Sequence, residues 1–487
     1  MLLVGAIVLL SGGQSIVLNG VPSIVDVDGS TGTVSEDRDQ FDVDVDSNLG
    51  QSQSILVRLL NTAGATATST LSLVAPDGVN LSIEEVDNNI LEIGDLSAST
   101  WILTMPAGSS IVAGGDWETV TTDSSSNTVG QYSSITSVDG DITMVSYYDA
   151  TGGNLKFAKT VNGGESASDW TTVASIDSTG NVGQYTDIAA VDSNTAHVSY
   201  YDVSTTALKV ATTNDGGSNW SSSIVDSSGD VGRYTSIAAL NANVFASYYD
   251  ATNNDLVVAK STDSGSSWTA SAVDSAGDVG RHTSIALPDA DAVIVSYYDA
   301  TNQALKVAIS ADSGGSWTTA VVDSSGDVGR ETSIVAVDNQ TLFVSYYDAT
   351  NDDLKVAKSV DGGSAWSVSV VDSTDEVGRY TSIAAPDASN IFISYRSVTE
   401  SSLKVARSTD SGATWNLATL DSTGDVGEFT SITAPSASVI AVGYHDSSNN
   451  NLKFAHSTRR AELLINVERE TDDSVGLYTI SGAVTGQ

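Results

Sequence analysis

The chain has 487 residues, with 20 basic against 61 acidic side chains, a formal charge of −41 and no cysteine. Disulfides and thiolate metal sites are excluded, and nucleic acid and anionic membrane surfaces are poor partners, because both are held by clustered Lys and Arg. The acidic excess suits a halophilic source, where concentrated salt screens self-repulsion; a calcium-rich extracellular setting is the alternative.

Residues 1–14 begin with ten apolar residues, MLLVGAIVLL, followed by Ser11, Gly12 and Gly13. This segment is too short to span a bilayer and lacks the basic start and small-residue cleavage site of a secretory signal. It is expected to be retained and buried against a partner, with an atypical leader as the alternative. Residues 15–107 show strand character at 54–60, 68–74 and 100–105, separated by turn residues such as Pro76, Asp77 and Gly78. The spacing suggests an immunoglobulin-like β-sandwich. Its expected completion is 461–487, where 462–467 and 475–480 are again strand-like. Asp42, Asp44 and Asp46 resemble the start of a Ca2+ loop, although the expected Gly and Glu are missing; alternating Asp and Val also describes an ordinary strand. Residues 108–116 form a small-residue linker.

From 117 to 457 one unit recurs, opened each time by a tryptophan: Trp117, Trp170, Trp220, Trp268, Trp317, Trp366 and Trp415, at gaps of 53, 50, 48, 49, 49 and 49 residues. In the copy that starts at Trp268, strand signals fall at 283–287, 292–298 and 304–309, and the next copy supplies 317–322. Four short strands per repeated unit predict a seven-bladed β-propeller. The first copy contributes a lone outer strand, 117–121, and the last ends in three strands without a fourth. Pairing them would close the ring and leave no open sheet between the ends. The predicted fold class is therefore all-β, a propeller closed by its N-terminal outer strand plus three C-terminal strands, joined to an N-terminal sandwich that the C-terminal segment 458–487 completes.

Between third and fourth strands lies Ser261-Thr262-Asp263-Ser264-Gly265-Ser266-Ser267-Trp268, repeated at 213–220, 310–317, 359–366 and 408–415. In this S/T-x-D-x-G-x-x-W pattern the chain resembles the Asp-box (BNR repeat) propellers, the superfamily that includes sialidases. The resemblance spans the repeats; the motif is altered before Trp170 and missing before Trp117. It implies a structural role for Asp215, Asp263, Asp312, Asp361 and Asp410, on the face opposite an active site. Physically, such an Asp caps backbone N–H groups, Gly takes a positive φ and Trp packs the hairpin down.

The other face carries the loops between blades. Each has an Asp, a second polar residue four positions on, then Val-Gly, as in Asp226/Asp230, Asp274/Asp278, Asp323/Asp327 and Asp421/Asp425. The residue after Val-Gly is expected to start the innermost strand and point at the channel; around the ring it reads Gln131, Gln184, Arg233, Arg281, Arg330, Arg379 and Glu428. Four successive arginines either lock blades through loop carboxylates or form an anion or glycan site. Second strands end in Tyr-Tyr-Asp in five copies, a pattern read as inter-blade core, with sugar stacking as the alternative. The last two copies read Tyr395-Arg396-Ser397 and Tyr444-His445-Asp446, so functional asymmetry is expected near Arg379, Arg396, Glu428 and His445. The histidines show no metal-ligand spacing, and no cofactor is expected.

Three functions compete. The resemblance implies sialidase chemistry: an arginine triad, an Asp acid and a Tyr–Glu nucleophile pair. The chain lacks a FRIP-like motif, however, and its near-identical blades offer similar environments where catalysis needs unlike ones. A recognition protein gains from repeated weak sites. A structural envelope or appendage protein would use the N-terminal region for self-association or for assembly with virion or envelope proteins. The reading favoured is a non-catalytic protein at a virion or cell surface in a halophilic archaeal system, with a propeller that binds a glycan or receptor and an anchoring sandwich.

Overall fold

In the computed structural model, side chains are described for 117–456 except 118, 139–141, 162, 165, 166, 172–174 and 438, and the terminal regions are described as backbone strands alone. Seven four-stranded antiparallel sheets follow one another. Blades 1 to 7 are numbered here by their innermost strands: Val129–Ser137, Val182–Ala190, Val231–Leu240, Val279–Ala286, Val328–Ala336, Val377–Ala384 and Val426–Ser436. In blade 4 the order outward is Val279–Ala286, Val293–Asp299, Ala304–Ser310 and Thr318–Asp323. Blade 7 is completed by Trp117–Asp123, which pairs with Asn451–Ser457 from Ser457↔Trp117 to Leu452↔Asp123. The expected closure and the count of seven both hold.

The composition of each strand follows from its place in the ring. Second strands such as Val293–Asp299 and Leu342–Asp348 are buried at every residue, because both of their faces pack on neighbouring blades. Outer strands begin exposed and become buried only at their last one or two residues, which end in Asp. That Asp binds the next blade. In blade 5, Tyr346 Oη donates to Asp323 Oδ2 at 2.8 Å, and Lys355 Nζ to the same oxygen at 2.7 Å. The same Tyr–Asp–Lys clamp recurs as Tyr147–Asp123–Lys156, Tyr200–Asp177–Lys209, Tyr297–Asp274–Lys306 and Tyr444–Asp421–Lys453. Blade 3 has Tyr248 on Asp226 but Val257 in place of the lysine.

Two further girdles join the blades nearer the axis. Ser Oγ groups on innermost strands accept from the next blade's backbone, as Ser284 does from Ile334 N–H at 3.1 Å and, across the closure, Ser431 from Ile135 N–H at 3.1 Å. Hydroxyl pairs such as Thr332–Ser296 (2.9 Å) and Thr430–Ser394 (2.8 Å) bridge six of the joints. At the seventh, between blades 7 and 1, Gly443 supplies no hydroxyl, and Ser133 Oγ donates to the Phe429 carbonyl instead. A Cβ at Gly443 would meet nothing closer than Ile135 at 3.8 Å. Gly443→Ser is therefore expected to stabilise the ring by about 1 kcal/mol, from a new hydrogen bond and a less flexible unfolded chain. Urea unfolding would show it as a higher midpoint.

In the terminal regions two sheets are described. One has the order Ser23–Asp28, Ser52–Leu60, Arg460–Arg469, Val79–Val86; the other Gly32–Val34, Gln40–Asp46, Leu477–Gly486, Ala67–Val74, Thr100–Met105, Glu92–Ser97. Asp42, Asp44 and Asp46 fall on the strand Gln40–Asp46, paired with Leu477–Gly486; their side chains lie outside the described residues. The apolar start 1–14 and the linker 108–116 also lie outside them.

Candidate functional site

The expectation that Gln131, Gln184, Arg233, Arg281, Arg330, Arg379 and Glu428 face the channel needs correction by one position. Each innermost strand is irregular at its start: pairing shifts between Val328 and Arg330 and again between Arg330 and Ser333. Gly329 (φ 96°) and Glu331 (φ 53°) both take the left-handed conformation, which resets the alternation of side chains. The residue that reaches the channel is the next one: Tyr132, Tyr185, Tyr234, His282, Glu331, Tyr380 and Phe429, all at φ between 52° and 55°. Left-handed backbone at a non-glycine residue costs about 1–3 kcal/mol, so the ring is held against a local preference. The signal was present in the sequence as an aromatic column one place downstream.

These seven side chains pack edge to edge around the axis. Ring centroids lie 4.8 Å apart for Tyr132–Tyr185, 4.7 Å for Tyr185–Tyr234, 4.5 Å for Tyr234–His282, 4.8 Å for Tyr380–Phe429 and 4.6 Å for Phe429–Tyr132. With two tiers of mostly Ser and Thr they line an open cavity of about 240 Å3. His282 and Glu331 interrupt the aromatic circle. Burial, with the charges of Arg330, Arg281 and Arg379, pushes the His282 imidazole down to about 3, so it is neutral. Burial raises the Glu331 carboxyl, although the Tyr380 N–H and Arg379 oppose the shift. In the serine tier Asp187 stands alone as a carboxylate and accepts from Ser134, Ser236 and the Ile188 and Ile237 N–H groups.

The arginines instead lie over the joints between blades. Arg233, Arg281 and Arg330 each donate through Nε (3.1 Å) and Nη2 (2.5–2.6 Å) to Asp230, Asp278 and Asp327, three residues earlier. Each guanidinium also covers a tyrosine of the preceding blade: Tyr201, Tyr249 and Tyr298, at 5.5, 5.3 and 5.6 Å from the ring centroid. Burial opposes the Arg330 charge, but hydrogen bonds to Tyr298 and Asp327 outweigh it and raise its pKa. These arginine side chains remain 39–41% exposed, whereas the tyrosines beneath are buried. Sugar stacking on Tyr201, Tyr249, Tyr298 or Tyr347 is thereby ruled out in this conformation.

Symmetry breaks where the last two copies depart from the pattern. Arg379 covers Tyr347 at 4.4 Å and pairs with Glu331 (3.5 Å) and Glu376 (3.4 Å). Arg396, in the place of the second tyrosine, bonds Glu428 at 3.0 Å and Asp425 at 2.5 Å. His445 joins neither: it is buried at the closure, with Nδ1 2.9 Å from the Val129 carbonyl oxygen. Five of the propeller's six arginines thus surround the loop face, each facing a carboxylate. All nine lysines of the chain are used inside the ring, six in or beside the clamps and three on hairpins.

On the opposite face the hairpin at 261–268 behaves as its residues suggest. Asp263 Oδ1 accepts from the Ser267 N–H and Oδ2 from its hydroxyl, and the Trp268 indole donates to the Gly265 carbonyl at 3.0 Å. Asp215, Asp312, Asp361 and Asp410 accept from the backbone N–H four residues on in the same way. Among the described residues no group of three or more His, Asp or Glu could hold a metal ion, and no helix is long and apolar enough to cross a membrane.

No known family matches the chain, and neither does any curated protein. Several solved structures are similar to it in chain course. One is YCF48 bound to a D1 peptide (15% identity, 74% of this chain and 100% of that one, TM-score 0.46). Another is the SapL1 lectin in complex with alpha methyl fucoside (16%, 59% and 95%, TM-score 0.41). A third is the Hadza microbial sialidase Hz136 (13%, 83% and 95%, TM-score 0.43). The assignment of this chain as a seven-bladed propeller rests on its own strand pairing.

Proposed function

We propose that the protein is a non-catalytic attachment or recognition protein displayed outside a cell or virion, with the propeller as its binding end. The observation that supports this most is the repetition of half-exposed Arg–Asp pairs at 233/230, 281/278 and 330/327 in one geometry. Each pair presents a donor fork beside a carboxylate, a combination suited to vicinal hydroxyls, and repeated weak contacts add by multivalency. Because each arginine of the loop face already has a carboxylate, a neutral glycan or a polar receptor surface suits the set better than an anionic sugar. A sialidase-like site would need arginines free for the substrate carboxylate. In the same reading the five hairpins are Asp-boxes, the two terminal sheets are layers of an immunoglobulin-like sandwich that serves as the anchoring end, and the acidic exterior fits concentrated salt.

A glycan array probed with the whole chain and with Arg330→Ala tests the reading. Binding is expected to weaken about tenfold in the variant, the effect of losing one charge-assisted contact. Unchanged binding would overturn the loop-face assignment, and release of a fluorogenic sialoside would overturn the non-catalytic one.

A further inference from the structure

On the face that carries the hairpins, a second-strand residue pairs with a third-strand residue beneath the next blade's hairpin. The pairs are Phe245 with Lys260, Phe343 with Lys358 and Phe392 with Arg407, each cation about 5.5 Å from its ring centroid. The lysine bridges to the neighbouring hairpin: Lys260 Nζ reaches the Ser313 carbonyl at 2.6 Å, Lys358 the Ser411 carbonyl at 2.8 Å, and Lys159 the Gly216 carbonyl at 3.3 Å. In blade 4, Ile309 fills the place against Gly363. Blade 2 has His197 opposite Thr212 instead.

Threonine is too short to bridge. Between the hairpins of blades 2 and 3 lies a cavity of about 660 Å3, lined in part by Thr212 and within the range of small-ligand sites. The walls include Asn214, Asp215, Asn219, Ser266 and the half-buried Trp220, with Thr212 at the base. No lysine or arginine lines it. Next to Thr212 lies His197, fully buried, its Nδ1 2.9 Å from Thr212 Oγ1 and its Nε2 without a hydrogen-bond partner. The Trp220 N–H bonds the Gly217 carbonyl and Asn219 bonds Asp215 within the hairpin, which leaves Asn214 and the hydroxyls to hold a polar ring, one that the single carboxylate requires to carry no negative charge.

We propose that this cavity is a binding site for a neutral saccharide, separate from the loop face and confined to the blade 2–3 joint. It does not depend on the function proposed above. Amide hydrogen exchange of the whole chain with N-acetylglucosamine, galactose, mannose and fucose tests it. At least one sugar is expected to slow exchange at 212–220 and 264–267. Thr212→Lys, which copies the bridge of Lys260, is expected to weaken that binding by about tenfold or more. Thr212→Ile, which copies Ile309, gives the same readout if the lysine variant does not fold. No protection at these residues from any of the four sugars, protection confined to 226–234 on the loop face, or undiminished binding in the filled variants would each overturn the proposal.

Discussion

Asp323→Asn is expected to lower the unfolding free energy of the propeller by about 3 kcal/mol, while Asp226→Asn, at the equivalent position, costs only about 1 kcal/mol. The difference is the lysine. Asp323 accepts from both Tyr346 and Lys355, whose side chain is only 9% exposed. Neutralising the carboxylate leaves a buried ammonium with Asp348, 3.5 Å away, as its nearest remaining charge. At Asp226 the partner from the next blade is Tyr248, Val257 standing where the lysine would be, while Ser228 N–H bonds the other carboxylate oxygen from within the loop; asparagine can still accept from a phenol. Burial disfavours the Asp323 charge, but Lys355, Ser325 and Tyr346 outweigh it and hold the carboxyl down to about 2. Its contribution is therefore complete above the ordinary carboxylate pKa and is lost only as pH falls towards 2. Equal losses at the two positions in urea unfolding would mean that the lysines contribute nothing to the joints.

The circle itself was legible because its evidence is periodic. Seven tryptophans at near-constant spacing fix the unit, and the lone strand at 117–121 can find a partner only at the chain's far end. The channel lining was not legible by the same means. A strand alternates sides, so Arg330 looked inward; the left-handed pair Gly329 and Glu331 turns that alternation over, and no spacing rule reports it. The two carboxylates of each loop were also indistinguishable in sequence. Asp323 ends a strand and is buried against the next blade, while Asp327, four residues on, sits at the rim and holds Arg330. The clamp lysines were hidden in plain strands such as Asp353–Ser359, where an outward lysine is the usual expectation. The blade 2–3 cavity is lined from two hairpins some fifty residues apart in sequence, so no single repeat reveals it.

Acidification from pH 7 to 4.5 is expected to weaken the propeller through its buried histidines, and His282→Phe and His197→Phe should each remove roughly 2 kcal/mol of that loss. Burial pushes the His197 imidazole down to about 4, and burial with three arginine charges pushes His282 down to about 3, against 6.5 for the free group. The unfolded chain thus binds more protons than the folded one below pH 6.5, and stability falls with pH until the folded values are reached, by about 1.4 kcal/mol per pH unit per histidine. The chain's own repeats supply the substitutions, since Phe429 occupies the ring position of His282, and Phe245 and Phe343 occupy that of His197. Burial raises the Glu331 and Asp187 carboxyls, so their protonation favours the folded state and opposes the loss. Glu331 shares the ring with His282, so that variant mixes two effects. His197 is shifted by burial alone, and a pH dependence unchanged in His197→Phe would show that its imidazole is protonated in the folded ring.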